Sequence, residues 1–483
     1  MRLSEVLRGV DVNGSFNDCE VSGICVDSRL VEEGNIFVCI KGLKTDSHDL
    51  ITDEIEKKAS AIITEKDLGR KNQIITGDTR KALALIASNF YGNKKNKLKI
   101  IAATGTNGKT TVTTLIKQVL DNIGVKAGLI GTVKYELGDY SLSARYTTPD
   151  PIELHRLFDK MERMGVEFVI MEASSHSLEQ LRLYGIQFDI GLWTNLPRDH
   201  LDFHGTMENY YLAKKKLFDN SKCAIVNVDD EYGARLYDEL KAEGKNVKSF
   251  SLSDITADYS STNIRTSERG VSFELVTLGN IGRITLPTPG EFSVANGILA
   301  ASALMEAGFP LSKITESLLQ SSGVKGRSEI IPTGRDFTVM CDYAHTPDSL
   351  EKIFSSTRQF AKGRIVALFG AAGKRDSEKR AEMGYAAAKY ADFVIITSDN
   401  PRDEDPFIIA SQVEEGVKRA GKPYIIILDR YDAIFYAIKN ARTGDMIVLA
   451  GKGHEDYQVL DGYSVYFDER EIVKKALKQY YGN

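Results

Sequence analysis

A glycine-rich segment between a predicted strand and a predicted helix most constrains what this chain can fold into. The segment reads Ala103-Thr-Gly-Thr-Asn-Gly-Lys-Thr-Thr111. Residues 99–103 form an apolar run typical of a buried strand, and apolar residues recur at helical spacing across residues 115–123. The two glycines would let backbone N–H groups approach an anion at the positive end of the helix. The segment therefore predicts a phosphate-binding loop.

Two polar side chains at the end of this segment suit a nucleoside triphosphate. Lys109 supplies a positive charge for the outer phosphates, and Thr110 supplies a hydroxyl for Mg²⁺. The pattern GxxxxGK[ST] has glycine at its first position, where this chain has Ala103. A chance glycine turn before a core helix is the alternative, and the strand–loop–helix frame favours triphosphate binding over it.

The composition predicts a reduced, soluble protein, which we expect in the cytoplasm. With 483 residues, the chain is long enough for about three domains. Its 62 Lys and Arg against 67 Asp and Glu give a net charge of −5, so no overall basic field favours nucleic acid. No apolar run approaches the roughly 20 residues of a membrane span, and the charged N-terminal residues are unlike a signal peptide. The five scattered cysteines predict neither a zinc site nor a disulfide framework.

Apolar runs that alternate with helical patterns predict an α/β protein of three domains. Residues 1–97 predict a small N-terminal α/β domain that ends in a basic linker at 92–97. Residues 98–328 predict a central parallel-sheet domain around the phosphate loop, with antiparallel additions at about 260–287. Residues 329–483 predict a second doubly wound, Rossmann-like sheet.

The residues after each apolar run of the central domain are candidates for chemistry, because open α/β sheets bind ligands beyond the carboxyl ends of their strands. Glu172 ends the run at 168–171, where a carboxylate could meet a Mg²⁺ held by Thr110. Two histidines and two aspartates lie between residues 199 and 204, His200 among them. They predict a metal or phosphate site, with a solvated polar loop as the alternative.

Three consecutive lysines at 214–216 are separated by their helical neighbours. Lys214 has two tyrosines, a leucine and a phenylalanine three and four residues away, whereas Lys215 and Lys216 have Asp219. Lys214 is therefore predicted to be partly buried, which lowers the pKa of a lysine and makes its amine available for reaction. The alternative is an ordinary basic helix face.

Three strand ends of the last domain carry groups that suit an amino acid. Arg375, Asn400, Arg402 and Glu455 each follow an apolar run. Arginine clamps a carboxylate in two hydrogen bonds, and a glutamate can bind an ammonium group. Each residue alone would be an ordinary surface charge, but their convergence at one rim predicts a ligand with both a carboxylate and an amine.

The chain resembles the Mur ligase family over all three predicted domains. The resemblance lies in Thr104-Gly-Thr-Asn-Gly-Lys-Thr-Thr111 with Glu172, His200 and Lys214, and in Asp342-Tyr-Ala-His-Thr-Pro-Asp348. The opening Asp27-Ser-Arg29 with Phe37-Val-Cys-Ile-Lys-Gly42 looks like the uridine-diphosphate-binding domain of the members that add the third amino acid. Related folylpolyglutamate synthetases share the ATP domain and lack this N-terminal domain.

The resemblance implies a role for each matching position. The implied nucleotide contacts are Gly105, Thr106, Asn107, Gly108, Lys109, Thr110, Thr111, Asn296, Arg327, Asp342 and His345. The implied magnesium and phosphate positions are Thr110, Glu172, His200 and a carbamylated Lys214 (N6-carboxylysine), and the catalytic set is Lys109, Glu172, His200 and Lys214. The implied contacts to a UDP-linked muramoyl dipeptide are Ser28, Thr147, Thr148, Ser174, Gln180 and Arg182. The implied diaminopimelate contacts are Arg375, Asp399, Asn400, Pro401, Arg402, Gly451 and Glu455.

One position departs from the family pattern. Ser293 stands where the pattern Gly-x-Phe-Asn-Val-x-Asn has asparagine, which puts one contact on the nucleotide side in doubt.

The resemblance implies ATP-dependent ligation in peptidoglycan precursor synthesis. The expected reaction adds meso-2,6-diaminopimelate to the D-glutamate γ-carboxylate of UDP-N-acetylmuramoyl-L-alanyl-D-glutamate through an acyl phosphate, with ATP and Mg²⁺, in a monomer. Lysine has no distal carboxylate for Arg402, so we expect diaminopimelate to be preferred. The alternatives are the same ligase adding L-lysine or meso-lanthionine, a folylpolyglutamate synthetase-like ligase, and a P-loop ATPase switch that does not ligate.

Overall fold

A computed structural model describes residues 1–42, 45–92 and 97–482, and it has the predicted mixed α/β fold. Its described strands form three large sheets and one small hairpin. Residues 93–96 of the predicted linker lie outside the described residues. None of the described helices is long and apolar enough to cross a membrane.

The first sheet has five strands in the order β1-β5-β4-β3-β2, all parallel to their neighbours except β1. Its strands are β1 (Val12–Asn13), β2 (Gly23–Cys25), β3 (Asn35–Val38), β4 (Ala61–Thr64) and β5 (Gln73–Thr76). Its helices are α1 (Leu3–Val6), α2 (Asp53–Lys58) and α3 (Thr79–Phe90), with 3₁₀ turns at Ser28–Leu30 and Ser47–Leu50.

The second sheet has eleven strands in the order β16-β15-β14-β13-β12-β11-β6-β10-β7-β8-β9. Its strands are β6 (Lys99–Thr104), β7 (Ala127–Ile130), β8 (Lys134–Leu137), β9 (Tyr140–Ser143), β10 (Phe168–Glu172), β11 (Phe188–Trp193), β12 (Ser221–Asn227), β13 (Val247–Ser251), β14 (Tyr259–Ser267), β15 (Gly270–Thr277) and β16 (Asn280–Leu286). Its helices are α4 (Lys109–Asn122), α5 (Pro151–Arg163), α6 (Ser175–Glu179), α7 (Leu201–His204), α8 (Met207–Asp219), α9 (Glu231–Ala242), α10 (Glu291–Glu306) and α11 (Leu311–Leu319).

The middle strands of this sheet are parallel, and both ends carry antiparallel strands. The predicted antiparallel additions are confirmed as β14, β15 and β16, which pair in sequence order. The β8–β9 hairpin at the other edge was not predicted. Helix α10 is buried along nearly its whole length and packs on α4, as expected for a helix that is apolar all round.

The third sheet has six strands in the order β17-β18-β22-β19-β20-β21, and a separate hairpin joins β23 to β24. The strands of the sheet are β17 (Glu329–Ile331), β18 (Thr338–Asp342), β19 (Ile365–Phe369), β20 (Phe393–Ile396), β21 (Tyr424–Ile426) and β22 (Met446–Ala450), and those of the hairpin are β23 (Tyr457–Leu460) and β24 (Tyr463–Tyr466). Its helices are α12 (Pro347–Phe360), α13 (Lys379–Tyr390), α14 (Pro406–Arg419), α15 (Arg430–Lys439) and α16 (Glu469–Tyr481). The parallel strands end at one edge, which carries the loops after β19, β20 and β22.

Candidate active site

A cavity of about 710 Å³ lies between the second and third sheets. The phosphate loop and the loop around His200 line one side of the cavity. Several residues between Arg327 and Arg375 line the other side. The described residues of the N-terminal sheet do not line it, so Ser28, half-buried in its 3₁₀ turn, is separate from this cavity. The two larger domains therefore share one candidate site.

The phosphate loop needs glycine at two positions for steric reasons. Gly105 has φ +140°, and a Cβ there would lie 1.8 Å from Thr194 Oγ1. Gly108 has φ +87°, and a Cβ there would lie 2.5 Å from Asn296 Oδ1. Both backbone conformations are ones that L side chains rarely adopt. The loop ends where α4 begins at Lys109, so the positive end of that helix faces the cavity.

The departure at Ala103 is explained by its place in the structure. Ala103 is the fifth residue of β6, pairs with Glu172 on β10 and is fully buried in the apolar core. Its backbone is not in the left-handed region, so no glycine is required. The first position of the motif therefore lies in the strand of this chain rather than in the turn.

Lys109 is folded back onto the loop that precedes it. Its Nζ donates hydrogen bonds of 2.9 Å to the carbonyl oxygens of Gly105 and of Thr106. Burial lowers the pKa of Lys109, and the nearby carboxylate of Glu172 opposes that shift. The charge is thus held at the loop, where outer phosphates would bind.

Glu172 is buried at the end of β10, and three donors face its carboxylate: the Thr110 hydroxyl and the backbone N–H and hydroxyl of Thr132. Thr110 Oγ1 lies 3.0 Å from each of its carboxylate oxygens. Thr132 donates its backbone N–H to Oε1 at 2.8 Å and its hydroxyl to Oε2 at 3.1 Å. Two oxygen-bearing side chains at this distance fit Mg²⁺, which takes one or two carboxylates beside substrate phosphates. Among the described residues, no group of three or more His, Cys, Asp or Glu could hold a metal by itself.

His200 lies in the loop after β11 with φ +52° and lines the cavity. Its ring centroid is 5.1 Å from that of His176, and its Nε2 is 3.5 Å from the Asp199 carboxylate. Asp199 also lies 3.7 Å from Lys379 Nζ at the start of α13. The loop is therefore in contact with the third domain, and an imidazole here can donate a hydrogen bond to a phosphate.

Lys214 is more deeply buried than predicted, with only 1% of its surface exposed. Its Nζ donates a 2.7 Å hydrogen bond to the Gly105 carbonyl and lies 4.7 Å from the centre of the Tyr210 ring. Burial and the nearby charge of Lys109 lower the pKa of Lys214 well below that of a free lysine. Lys214 does not line the cavity, and its amine is held at the loop rather than at Glu172.

Five of the six side chains predicted to contact the dipeptide lie together near Glu172, and Ser28 is the exception. Thr148 Oγ1 donates to the Glu172 carbonyl at 2.7 Å and accepts from the Ser174 backbone N–H at 3.1 Å. Arg182 donates to the Thr148 carbonyl at 2.8 Å and to Gln180 Oε1 at 2.7 Å. Thr147 lies 3.1 Å from Thr132, hydroxyl to hydroxyl, and four of these five side chains line the cavity: Thr147, Thr148, Ser174 and Arg182.

The side chains predicted to contact nucleotide come from two domains. Asn296 lies on α10 against Gly108, and Arg327 donates to Thr110 Oγ1 at 3.3 Å. Asp342 ends β18 and accepts the backbone N–H groups of Ser328 and Ala344, while burial raises its pKa. His345 is held by the Tyr343 carbonyl at 2.7 Å, and all four of these residues line the cavity.

Ser293, the departure on α10, is not among the cavity-lining residues. Its hydroxyl lies 3.2 Å from the Pro289 carbonyl, and its side chain is buried.

The predicted amino-acid contacts divide into two groups. Arg375 is exposed and lines the cavity. The others lie at the ends of β20 and β22: Asn400 Nδ2 donates to Glu455 Oε2 at 3.1 Å, and the buried Asp399 lies against Gly451, whose φ is +111°. Pro401 is buried, and the Arg402 guanidinium donates to the Gly373 carbonyl in the loop that carries Arg375. The three strand ends therefore converge, as the sequence pattern predicts.

Two residues that sequence reasoning missed join this machinery. Thr132 holds Glu172 and follows β7 by two residues, so the rule that led to Glu172 could have found it. Lys452 is fully buried between Asn400 and Glu455, and it was overlooked because a lysine after a strand resembles an ordinary surface charge.

These features define a class of protein: a P-loop nucleotide-dependent enzyme whose site lies between two α/β domains. Residues 103–305 match the Mur ligase middle domain, and residues 326–453 match the Mur ligase glutamate ligase domain. The chain belongs to the Mur ligase family and is an ATP-dependent ligase.

The similarity to individual relatives extends over the whole chain. The UDP-N-acetylmuramoyl-L-alanyl-D-glutamate–2,6-diaminopimelate ligase of Clostridium tetani is 42% identical over 492 residues, with 100% of each chain covered. The protein of the same name from Caldanaerobacter subterraneus subsp. tengcongensis is 43% identical over 485 residues, covering 99% of each. A solved structure of a ligase with this name is 34% identical, with a TM-score of 0.71 and 95% of each chain covered.

Proposed function

We propose that this chain joins meso-2,6-diaminopimelate to the D-glutamate γ-carboxylate of UDP-N-acetylmuramoyl-L-alanyl-D-glutamate and converts ATP to ADP and phosphate. The observation that carries the proposal is one cavity lined by the phosphate loop, by the cluster around Thr148 and Arg182, and by Arg375. The names of the full-length relatives support the choice of acceptor and amino acid. Such a reaction belongs to cytoplasmic peptidoglycan precursor synthesis, and we expect the enzyme to act there as a monomer.

The chemistry has two steps. An oxygen of the γ-carboxylate attacks the γ-phosphorus of ATP, and ADP leaves, so that an acyl phosphate forms. The amine of diaminopimelate then attacks the acyl carbon, the carbon–oxygen bond to phosphate breaks, and phosphate and a proton are released. Lys109, the N-terminus of α4 and Arg327 surround the loop and stabilise the charge that develops on the transferring group.

The magnesium site of this proposal uses Thr110 and Glu172. Their oxygens are already paired at 3.0 Å, and Thr132 holds the carboxylate in place. A bound Mg²⁺ would supply charge neutralisation at the β- and γ-phosphates. Mg²⁺ favours oxygen ligands, so His200 is better suited to donate to a phosphate oxygen than to bind the metal.

Lys214 suits the modification that the family resemblance implies. A buried lysine with a lowered pKa has a neutral amine available, and that amine can add to CO₂ to form a carbamate with loss of one proton. The carbamate would convert a positive group into an oxygen donor next to the phosphate loop. The apolar neighbours Tyr210 and Leu217, both fully buried, keep the site dry.

The choice of amino acid follows from paired charges at the rim. Glu455 can bind the distal ammonium of diaminopimelate, and Arg402 its distal carboxylate. Lysine would leave Arg402 without that carboxylate, which costs binding energy because a polar partner is lost.

The test measures phosphate release from ATP with the UDP-linked dipeptide and one amino acid at a time. Turnover with meso-diaminopimelate and not with lysine is the expected result. Turnover with meso-lanthionine as well would widen the specificity, because it keeps both carboxylates. Equal turnover with lysine would overturn the specificity argument. A polyglutamylating ligase would instead fail to bind the UDP-linked dipeptide, and an ATPase switch would hydrolyse ATP without either co-substrate.

A further inference from the structure

Lys452 is a fully buried lysine within the group of side chains that the amino-acid site uses. It is the second residue after the end of β22, and 0% of its surface is exposed. Its Nζ donates to Asn400 Oδ1 at 3.0 Å and to Glu455 Oε2 at 2.6 Å, and it lies 5.1 Å from the centre of the Tyr457 ring. A buried lysine is costly unless it is paired, so this placement serves the two side chains it touches.

The contacts of Lys452 fix which atoms face a substrate. Asn400 Oδ1 also accepts the Val459 backbone N–H at 2.9 Å, so its two acceptor positions are taken and its Nδ2 turns to Glu455 Oε2 at 3.1 Å. Glu455 Oε2 therefore accepts hydrogen bonds from both Lys452 and Asn400. The oxygen left for an incoming ammonium is Oε1, whose neighbour is the Tyr457 hydroxyl at 3.5 Å.

The backbone around Lys452 holds this arrangement. Gly451 and Gly453 both have positive φ, +111° and +51°, which turns the chain tightly on either side of the lysine. The buried Arg430 donates to the Ala450 carbonyl at 2.8 Å and pairs with the buried Glu469. These contacts of Arg430 hold the end of β22 in place, and the fold therefore sets the position of Lys452 Nζ.

The fixed charge of Lys452 changes what Glu455 can bind. A carboxylate that is already paired with a lysine attracts a lone ammonium weakly, since the two positive groups repel each other. The repulsion is smaller for an ammonium group whose own molecule carries a carboxylate next to it, because Arg402 and Lys452 both attract that carboxylate. The site therefore favours a ligand whose distal end carries both an ammonium and a carboxylate group over one whose distal end carries an amine alone.

We propose that Lys452 is a positioning residue that sets amino-acid specificity: its contacts aim Glu455 Oε1 at the substrate, and its charge selects a distal ammonium that carries a neighbouring carboxylate. This inference rests on the proposed function, and it adds a second source of discrimination against lysine beside Arg402.

The test compares the wild type with Lys452→Gln and Lys452→Met. Glutamine keeps a hydrogen-bond donor and removes the charge, whereas methionine removes both. We expect kcat/KM for meso-diaminopimelate to fall about tenfold or more in both variants, mainly through KM, because a charge-assisted contact is lost. We expect the inhibition constant of lysine, measured as a competitor of diaminopimelate, to stay the same or fall, so that the preference for diaminopimelate shrinks by about tenfold or more.

Controls separate this effect from a loss of structure. KM for ATP and the thermal unfolding midpoint are measured for each variant, and the exposed Lys475 on α16 provides a matched Lys475→Met substitution in the same domain. Lys452→Arg retains the charge and is expected to restore part of the preference for diaminopimelate.

The outcomes distinguish this inference from the proposed function. An unchanged preference in Lys452→Gln and Lys452→Met overturns the inference, as does a parallel rise of the KM for diaminopimelate and the inhibition constant of lysine. A wild type that does not use diaminopimelate overturns the proposed function instead.

Discussion

At the scale of single residues, the phosphate loop demands glycine where the chain turns and tolerates alanine where it is extended. Gly108 has φ +87° and no room for a Cβ beside Asn296, whereas Ala103 lies in a strand with its methyl group in the core. Gly108→Ala should therefore weaken nucleotide binding, whereas Ala103→Gly should leave it nearly unchanged.

Gly108→Ala is expected to weaken the binding of a non-hydrolysable ATP analogue by about tenfold or more, because a left-handed alanine costs about 1–2 kcal/mol before the contact with Asn296 is counted. Ala103→Gly is the matched control. It should lower the free energy of unfolding by about 0.5–1 kcal/mol while nucleotide affinity stays within about twofold. Isothermal titration calorimetry and denaturant unfolding measure the two quantities. Wild-type affinity in Gly108→Ala would contradict the steric argument.

Lys214 makes a second prediction at this scale, since its buried amine is the group proposed to bind CO₂. In protein equilibrated with ¹³C-bicarbonate, we expect a carbamate ¹³C signal that is absent from Lys214→Met. That variant should also lose more than about tenfold in kcat, because the group acts next to the reacting phosphates. Lys216→Met is the control, since Lys216 pairs with Glu179 on the surface. A labelled signal that persists in Lys214→Met would place the modification elsewhere.

At the scale of elements, the strand ends explain why much of the site could be predicted. Glu172, Asn400 and Glu455 each follow an apolar run, and parallel pairing brings the carboxyl ends of neighbouring strands to one edge. The apolar neighbours of Lys214 likewise predicted its burial, because α8 packs that face inward. The pattern along each segment therefore predicts both the parallel sheets and the functional residues at the ends of their strands.

Contacts that depend on the direction of a side chain or on distant segments could not be predicted in this way. Nothing in the sequence around Arg402 shows that its guanidinium reaches Gly373, and nothing around Lys452 shows that it is buried. The β8–β9 hairpin is short and mostly polar on one strand, so its alternation is too weak to distinguish it from a loop. Such features follow from packing between elements, which a pattern along one segment does not contain.

Helix α5 carries a buried histidine whose titration should be measurable. His155 is 2% exposed and packs edge-on against Phe158, and burial lowers its pKa from 6.5 to about 4. The folded protein therefore holds His155 neutral at a pH where the unfolded chain binds a proton. Its contribution to stability is complete above pH 6.5 and is lost as the pH falls towards 4.

His155→Phe should remove this part of the pH dependence. Between pH 6.5 and 4, the wild type is expected to lose about 3 kcal/mol more unfolding free energy than the variant, from 1.36 kcal/mol per pKa unit. Urea unfolding at a series of pH values measures the difference. The other buried histidines remain in both proteins and cancel in the comparison, so parallel curves would contradict the assignment to His155.

At the scale of the whole molecule, the third domain and the residues just before it contact the other side of the cavity at three points. Asn107 of the phosphate loop donates to Asp348 on α12 at 3.3 Å, and Lys379 on α13 lies 3.7 Å from Asp199. Arg327 stacks 4.7 Å from the centre of the Tyr343 ring and donates to Thr110. A nucleotide held by the phosphate loop would therefore contact both domains, and its binding should strengthen their association.

Arg327→Met tests whether this association serves the chemistry. Arg327, at the start of the segment that matches the glutamate ligase domain, brings a positive charge to Thr110, so the variant should lose about 10- to 100-fold in kcat. Its KM for the amino acid should change by less than about twofold, because the loops after β20 and β22 are untouched. Arg335→Met is the matched control, since exposed Arg335 stacks on Tyr481 in the same domain.

Hydrogen exchange distinguishes loss of a charge from loss of domain association. In the wild type, an ATP analogue should protect amides both in the phosphate loop and at the start of α12, because the nucleotide would lie between them. In Arg327→Met, protection should persist in the phosphate loop and weaken at α12. Equal protection at both places together with a lowered kcat would assign Arg327 to transition-state stabilisation alone. Unchanged kcat would remove it from the mechanism, and the contact with Thr110 would then serve only the packing of the two domains.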